Sequence, residues 1–302
     1  MSRDLQSISI MKRVVVDAFI LIVLGLCILA TNIAWTPFKR GFFCNDESLM
    51  YPYNSDTVTV PVLRSVGVLL PAFFFLICEY NVLNKQPSTT RCLGVRIPSW
   101  VSGLYCVMAG FSFGCCFIEL VVNIAKATIG RPRPHFFDVC RPSIDCSAAE
   151  WQNRYVQHDE YQCNGSQVDK FGDMCKSFLS GHSAFAAYTM VYLALYLQSR
   201  MKWSGSRALR HTLQFAVVML SYFCALSRIS DYKHHWSDVL AGYTVGVFFA
   251  IIVWVWGTEL VKKQKHLGNS RVSIPQYEIS VTTQTVTPTR NQQKADEHYQ
   301  IG

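Results

Sequence analysis

The stretch Ser227–Asp238, SRISDYKHHWSD, sets an arginine, two adjacent histidines and an aspartate against the start of a long apolar run. Arg228, His234 and Asp238 have the spacing of a phosphate clamp, a nucleophile and an orienting carboxylate. His234 and Asp238 are four residues apart, hence on one face if a helix begins there. The alternative on these residues alone is a juxtamembrane loop of interfacial polar groups. Two other segments supply the missing parts of a site.

The first is NIAKATIGRPRPHFFDVC, where Lys126, Arg131 and Arg133 fall within eight residues with no intervening acid. Pro132 and Pro134 bracket Arg133 and oppose a continuing helix, so these cations sit on a short helical extension and a stiff loop. That suits an anion, with lipid headgroup contact as the alternative. The second is SFLSGHSAF, Ser177 to Phe185. Ser180 and Gly181 entering a helix leave backbone N–H groups free and let the backbone approach a ligand, as helix N-termini do with phosphate. His182 lies on the first turn, ready to exchange a proton. Phosphomonoester cleavage needs charge stabilisation on the equatorial oxygens, an in-line nucleophile and a leaving-group acid. Three cations with a helix N-terminus supply the first, and two histidines the others.

Positioning these parts falls to membrane helices. The chain has 302 residues, 50% hydrophobic and only 16% charged, against roughly a quarter charged in a soluble domain. Apolar runs long enough to cross about 30 Å of hydrocarbon read near 14–35, 60–82, 99–121, 180–198, 209–228 and 236–257. The first follows Lys12 and Arg13 and is too long for a cleaved leader, so it reads as a retained anchor. The net charge of +8 sits in short segments between spans, which reads as a topology signal and gives no reason to expect nucleic acid.

Lysine and arginine cluster at the N-terminus, in the second and fourth connections (Lys85, Arg91, Arg96; Arg200, Lys202, Arg207, Arg210) and at Lys262, Lys263 and Lys265. That side is expected to be cytosolic, with both termini. The catalytic segments then share the extracellular or luminal face. Asn164-Gly165-Ser166, a glycosylation sequon, falls in the outer loop 122–179. Of 12 cysteines, Cys44, Cys140, Cys146, Cys163 and Cys175 fall in outer loops, where an oxidising compartment permits disulfides. Five is odd, and the connectivity is open.

Asp46 and Glu47, in the first outer loop, lack the further ligands a metal needs and read as a structural cap. The polar middle of the third connection, 138–176, reads as a disulfide-tied rim. The chain divides into a cytosolic N-terminus (1–13), a six-span membrane domain (14–262) and a disordered cytosolic tail (263–302) rich in Ser, Thr and Gln.

The pattern Lys126-x6-Arg133-Pro134, Ser180-Gly181-His182 and Ser227-Arg228-x5-His234-x3-Asp238 resembles the three-part signature of the type 2 phosphatidate phosphatase superfamily. It is most similar to the animal lipid phosphate phosphatases, including Wunen-like proteins, through RGFFCNDES, IGRPRPHFFDVC, LYLQSRMK and SRISDYKHHWSD. The resemblance covers most of the chain from Met11 to Lys263. It departs at Leu179, where the general pattern has proline, and in lesser degree at Pro132.

The resemblance implies an all-α, six-transmembrane-helix bundle with the catalytic segments converging on one pocket. It makes His234 the nucleophile that forms a phosphohistidine, Asp238 the residue orienting its imidazole, and His182 the general acid and base. Lys126, Arg133, Arg228, Ser180 and Gly181 would bind phosphate, with no metal or other cofactor. The implied substrates are phosphatidate, lysophosphatidate, sphingosine 1-phosphate and ceramide 1-phosphate, hydrolysed at the plasma membrane in lipid signalling and phospholipid metabolism by a homo-oligomer. A non-catalytic relative would lack the histidines that this chain keeps. A sugar phosphatase or haloperoxidase fits the short loops less well.

Overall fold

The computed structural model describes residues 2–87, 90–92, 95–201 and 207–269. Its long helices are α1 (Ser2–Ala34), α2 (Val60–Leu83), α3 (Ser99–Ile129), α5 (Gly181–Arg200), α6 (Arg207–Ser230) and α7 (Trp236–Asn269), with a short α4 (Phe136–Cys140) between α3 and α5. Among the described residues, strands are confined to two small antiparallel pairs: β1 (Phe42–Phe43) with β4 (Tyr155–Val156), and β2 (Thr90–Cys92) with β3 (Val95–Ile97). The all-α class expected from the apolar runs is the class observed.

Among the described residues, five helical stretches are long and apolar enough to cross a membrane: Met11–Ala34, Val60–Leu83, Ser99–Ile129, Ala208–Ser230 and Trp236–Gly257. The chain is a multi-pass membrane protein. Six spans were expected, and the difference is α5. It forms a helix over Gly181–Arg200 but carries Ser183, Thr189, Gln198, Ser199 and three tyrosines. Such a composition suits a helix enclosed by other helices rather than by lipid. α5 packs on α2, α3 and α6, and Ala184, Ala187, Tyr188, Leu193, Tyr196 and Leu197 are fully buried. Two of its tyrosines place their hydroxyls on partners inside the bundle: Tyr188 donates to the Phe111 carbonyl at 2.9 Å and Tyr196 to Glu79 at 3.0 Å. At Gly246 a Cβ would collide with the Ala184 carbonyl oxygen, so the missing side chain lets α7 lie directly on the α5 backbone.

A second apolar cluster lies outside the helical core. Phe42, Cys44, Leu49, Phe136, Val139, Cys140, Val156, Tyr161 and Met174 pack together from the connection between α1 and α2 and that between α3 and α5. Disulfides Cys44–Cys146 and Cys140–Cys163 staple it and leave Cys175 without a partner cysteine. Asp46 accepts from the Ser48 backbone N–H at 3.0 Å and its hydroxyl at 2.7 Å, the capping duty expected of it. Of the expected tail, residues up to Asn269 continue α7 as helix, and 270–302 lie outside the described residues.

Candidate active site

Three chain segments meet at one end of the bundle, beneath the disulfide-stapled cluster. α3 ends at Gly130, whose φ of +58° is the left-handed conformation that stops a helix. A Cβ there would also strike the Phe38 carbonyl oxygen. Lys126 lies on the last turn of α3, and its ammonium sits 3.7 Å from where a Cβ on Gly181 would stand. Past Gly130 the Arg-Pro-Arg-Pro run carries Arg133 into the interior, 7% exposed. Its guanidinium donates to the Lys233 carbonyl at 3.1 Å and the Asp173 carbonyl at 3.0 Å, and pairs with the Asp173 carboxylate at 2.7 Å. Burial pushes the Asp173 carboxyl up, but the charges of Arg133 and Lys126 outweigh it and hold the group below the usual carboxylate range.

The second segment opens α5. Ser180 is its N-cap, its hydroxyl oxygen accepting from the Ser183 N–H at 3.4 Å and the Ser183 hydroxyl at 2.9 Å. The Ser180 N–H donates to the Asp238 carbonyl at 3.1 Å, and a Cβ on Gly242 would come within 2.5 Å of the Ser180 carbonyl oxygen. α7 is thus pressed onto the cap of α5. His182 follows, its Nε2 3.1 Å from the Val58 carbonyl, with Arg228, Asp56 and Lys126 as its charged neighbours.

The third segment is the turn between α6 and α7. α6 ends as the N–H groups of Lys233 and His234 both donate back to the Arg228 carbonyl, at 3.1 and 3.2 Å. Tyr232 takes the left-handed conformation at φ 55° that such a turn needs. Without glycine's freedom the turn is held by packing: the Tyr232 ring stacks on Tyr51 with centroids 4.5 Å apart. The turn folds His234 inward to 3% exposure. Burial, and then the charges of Arg133 and Lys126, push its imidazole well below the ordinary histidine range, so the ring is neutral at physiological pH.

The expected cage residues therefore come together. Lys126 and Arg133 act on the charge of His234, as does His182, while Arg228 and Lys126 act on His182. Arg228 is 1% exposed and pairs with Asp56 at 2.8 Å and Asp231 at 2.5 Å. Asp231 also accepts from the Thr57 N–H at 2.8 Å and the Thr57 hydroxyl at 2.6 Å. Among the described residues no group of three His, Cys, Asp or Glu side chains is arranged to hold a metal ion.

One contact differs from expectation. Asp238 does not meet His234. Its Oδ2 accepts from the Ser177 hydroxyl at 2.6 Å and the His235 N–H at 3.1 Å, and its Oδ1 pairs with Arg131 at 2.5 Å. The helix begins only at Trp236, so His234 lies in the turn before it and the four-residue spacing does not set the pair on one face. Asp238 instead occupies the third helical position and reaches back to the N-cap residue His235, as an acid in a capping box does. His234 Nδ1 is held by the Ser177 carbonyl at 2.6 Å. His235 lies on Asp238 at 3.2 Å. Ser177, Asp56, Asp231 and the Val58 carbonyl were missed: carbonyl contacts leave no trace in residue type, and Asp56 and Asp231 carry no spacing signal. Arg131 had been grouped with the phosphate cations and is spent on Asp238.

Residues 104–262 match the PAP2 superfamily. A Drosophila melanogaster protein carrying the provisional name of phosphatidate phosphatase is 40% identical over 269 residues, 84% of this chain and 70% of its own. Rat phospholipid phosphatase 1 is 38% identical over 249 residues, 82% of this chain and 86% of its own, and human phospholipid phosphatase 2 is 36% identical over 242 residues, 79% and 80%. No solved structure matches the chain. With histidines and cations gathered at one end of a membrane bundle, and likeness of this depth over most of the chain, the chain belongs to the PAP2 superfamily as a membrane-spanning phosphatase.

Proposed function

We propose that the chain hydrolyses lipid phosphomonoesters, phosphatidate, lysophosphatidate, sphingosine 1-phosphate and ceramide 1-phosphate among them, at the extracellular or luminal face through a phosphohistidine at His234. The observation that carries the reading is His234, folded inward to 3% exposure by the α6–α7 turn, with the charges of Arg133, Lys126 and His182 acting on its imidazole. With Nδ1 engaged by the Ser177 carbonyl, Nε2 keeps the lone pair a nucleophile needs. Lys126, Arg133, Arg228, the Ser180 hydroxyl and the Gly181 N–H would take the three equatorial oxygens, on which charge gathers during transfer.

In the first step His234 Nε2 bonds to phosphorus in line as the ester P–O bond breaks, and His182 gives its proton to the departing alkoxide. The phosphate dianion beside His182 favours the protonated ring this requires. In the second step His182 takes a proton from water, whose oxygen bonds to phosphorus as the P–N bond breaks. Inorganic phosphate leaves and both histidines are restored.

The outward orientation draws support from the disulfides and from Asn164, which is exposed beside Cys163 on the stapled cluster above the cage. The deciding experiment is His234→Ala in purified protein. It is expected to insert and fold as wild type does and to release no phosphate from lysophosphatidate micelles, with wild-type activity persisting in EDTA. Turnover by the variant would overturn the reading.

A further inference from the structure

Ser177 lies three residues before the Ser180-Gly181-His182 segment and outside all three motifs, yet it is fully buried and every polar atom it owns is used. Its N–H donates to the Arg131 carbonyl at 3.0 Å. Its hydroxyl donates to Asp238 Oδ2 at 2.6 Å, and its carbonyl accepts from His234 Nδ1–H at 2.6 Å. The Arg131 side chain closes the arrangement by pairing with Asp238 Oδ1 at 2.5 Å and donating to the Ser237 hydroxyl at 2.8 Å.

We infer that Ser177, braced by Asp238 and Arg131, is the positioning residue that aims His234: Asp238 acts on the nucleophile only through the Ser177 peptide. This rests on the reading of His234 as the nucleophile. A carbonyl held on one side alone can swing about its peptide axis. Fixed at the N–H, the hydroxyl and the carbonyl, this one stays in line with Nδ1.

The orientation matters most as the reaction proceeds. Bonding of Nε2 to phosphorus draws electron density from the ring and makes Nδ1–H more acidic, so the bond to the Ser177 carbonyl strengthens toward the transition state. An interaction that strengthens there lowers the barrier without tightening substrate binding. The Asp238 charge, one residue away through the Ser177 hydroxyl, favours the same developing positive charge.

The test uses full-length protein in detergent, supplied with lysophosphatidate labelled in its phosphate, with Ser177→Ala, Ser177→Thr, Arg131→Ala, Asp238→Asn and the S177A/D238N double variant. Ser177→Ala keeps the carbonyl and loses only the hydroxyl anchor. Expected is a fall in kcat of about 10- to 100-fold, the usual range for groups that orient a reacting ligand, with KM within about twofold and rescue by threonine. S177A/D238N should be no slower than the worse single variant, since both cut one hydrogen bond. A purely structural serine would lower the yield and melting temperature of all variants and leave kcat per folded molecule unchanged; that result overturns the inference.

Should Ser177→Ala fail to fold, Arg131→Ala decides: it loosens Asp238 while leaving Ser177 intact, and an unchanged kcat overturns the inference. Acid-quenched labelling separates this from the reading beneath it. Wild type without labelled phosphohistidine at residue 234 sinks the nucleophile assignment. Wild type that labels there while Ser177→Ala labels equally fast sinks only the role of Ser177.

Discussion

The guanidinium of Arg228 meets the carboxylate of Asp56 at 2.8 Å across 172 residues of sequence, so that the arginine proposed to bind phosphate is already engaged by an acid from the connection between α1 and α2. The same loop places Thr57 on Asp231 and the Val58 carbonyl on His182. On the proposed function, substrate phosphate would share Arg228 with Asp56, whose side chain is 37% exposed. Replacing Asp56 with Asn keeps a hydrogen-bonding group and removes the competing charge. KM for lysophosphatidate should fall by roughly fivefold, about 1 kcal/mol after allowance for solvent screening, with kcat changed less. A KM that stays level or rises in steady-state assays would contradict this competition.

Asp231 plays the opposite part. It is held by Arg228 at 2.5 Å and by two bonds from Thr57, with only 9% of its side chain exposed. Asp231→Ala strips a buried cation of its nearer partner and frees the loop. A loss of about 3–5 kcal/mol is expected, the range for breaking one side of a buried pair. It should register as a clear drop in melting temperature in detergent, with Asp231→Asn milder because it still accepts from Thr57.

These partners also mark where the sequence stops being legible. Spans 60–82, 209–228 and 236–257 were readable because apolar length is a local property, and α2, α6 and α7 occupy them. The end of α3 was only partly readable. Proline signals oppose helix past Pro132 and the helix stops just short of it, at Ile129, but the left-handed Gly130 that ends it was not singled out. α5 was readable as a helix and not as an enclosed one, since its surroundings come from four other helices. His182, His234, Lys126, Arg133 and Arg228 were legible because their chemistry is written in residue type. The contact that orients His234 was not: it is a main-chain carbonyl 57 residues upstream. Asp238 was assigned to His234, but that residue lies in the turn before Trp236, and the carboxylate reaches back to His235 as a cap instead.

The environment of His234 fixes the pH response. Burial first, then Arg133 and Lys126, keep its protonated form from appearing until pH is well below 6.5. The unfolded chain binds that proton near 6.5, so the unfolded state holds more protons between the two values and stability rises with pH across that window. The contribution is complete above about pH 6.5 and is lost as pH falls toward the folded-state value. After correction for the substrate's own phosphate ionisation near pH 6, kcat/KM should therefore show no acid limb at 6.5 from the nucleophile. Arg133→Gln, by removing the largest charge acting on the ring, should move that limb upward. A wild-type limb centred on 6.5 would contradict a buried, cation-faced imidazole.

The disulfides act on the outer cluster rather than on the helices. Cys44–Cys146 closes a sequence separation of 102 residues and Cys140–Cys163 one of 23. Loop-closure entropy gives about 4.7 and 3.4 kcal/mol respectively. Cys44→Ser should thus destabilise more than Cys163→Ser. Both should lower activity, because Phe136 and Met174 in this cluster flank Arg133 in sequence or by hydrogen bond. Melting curves with and without reductant check the order.

At the other end of the bundle, Glu79 on α2 is fully buried and Tyr196 and Arg200 of α5 reach it, at 3.0 and 2.9 Å through Oε1. Its Oε2 finds no hydrogen-bond partner among the described residues and sits where a Cβ on Gly103 of α3 would be. An acid in this position is tolerated only while its cation stays. Arg200→Ala should cost about 3–5 kcal/mol by leaving the carboxylate uncompensated. Adding Glu79→Gln should recover much of the loss, since the neutral amide no longer needs the guanidinium. Because the pair lies far along α2 and α5 from the Ser180 cap, kcat per folded molecule should hold at the wild-type value in both variants. If Arg200→Ala and the double variant melt together, the pair is not coupled; if kcat falls while melting is unchanged, the two ends of α5 communicate in a way that packing alone does not provide.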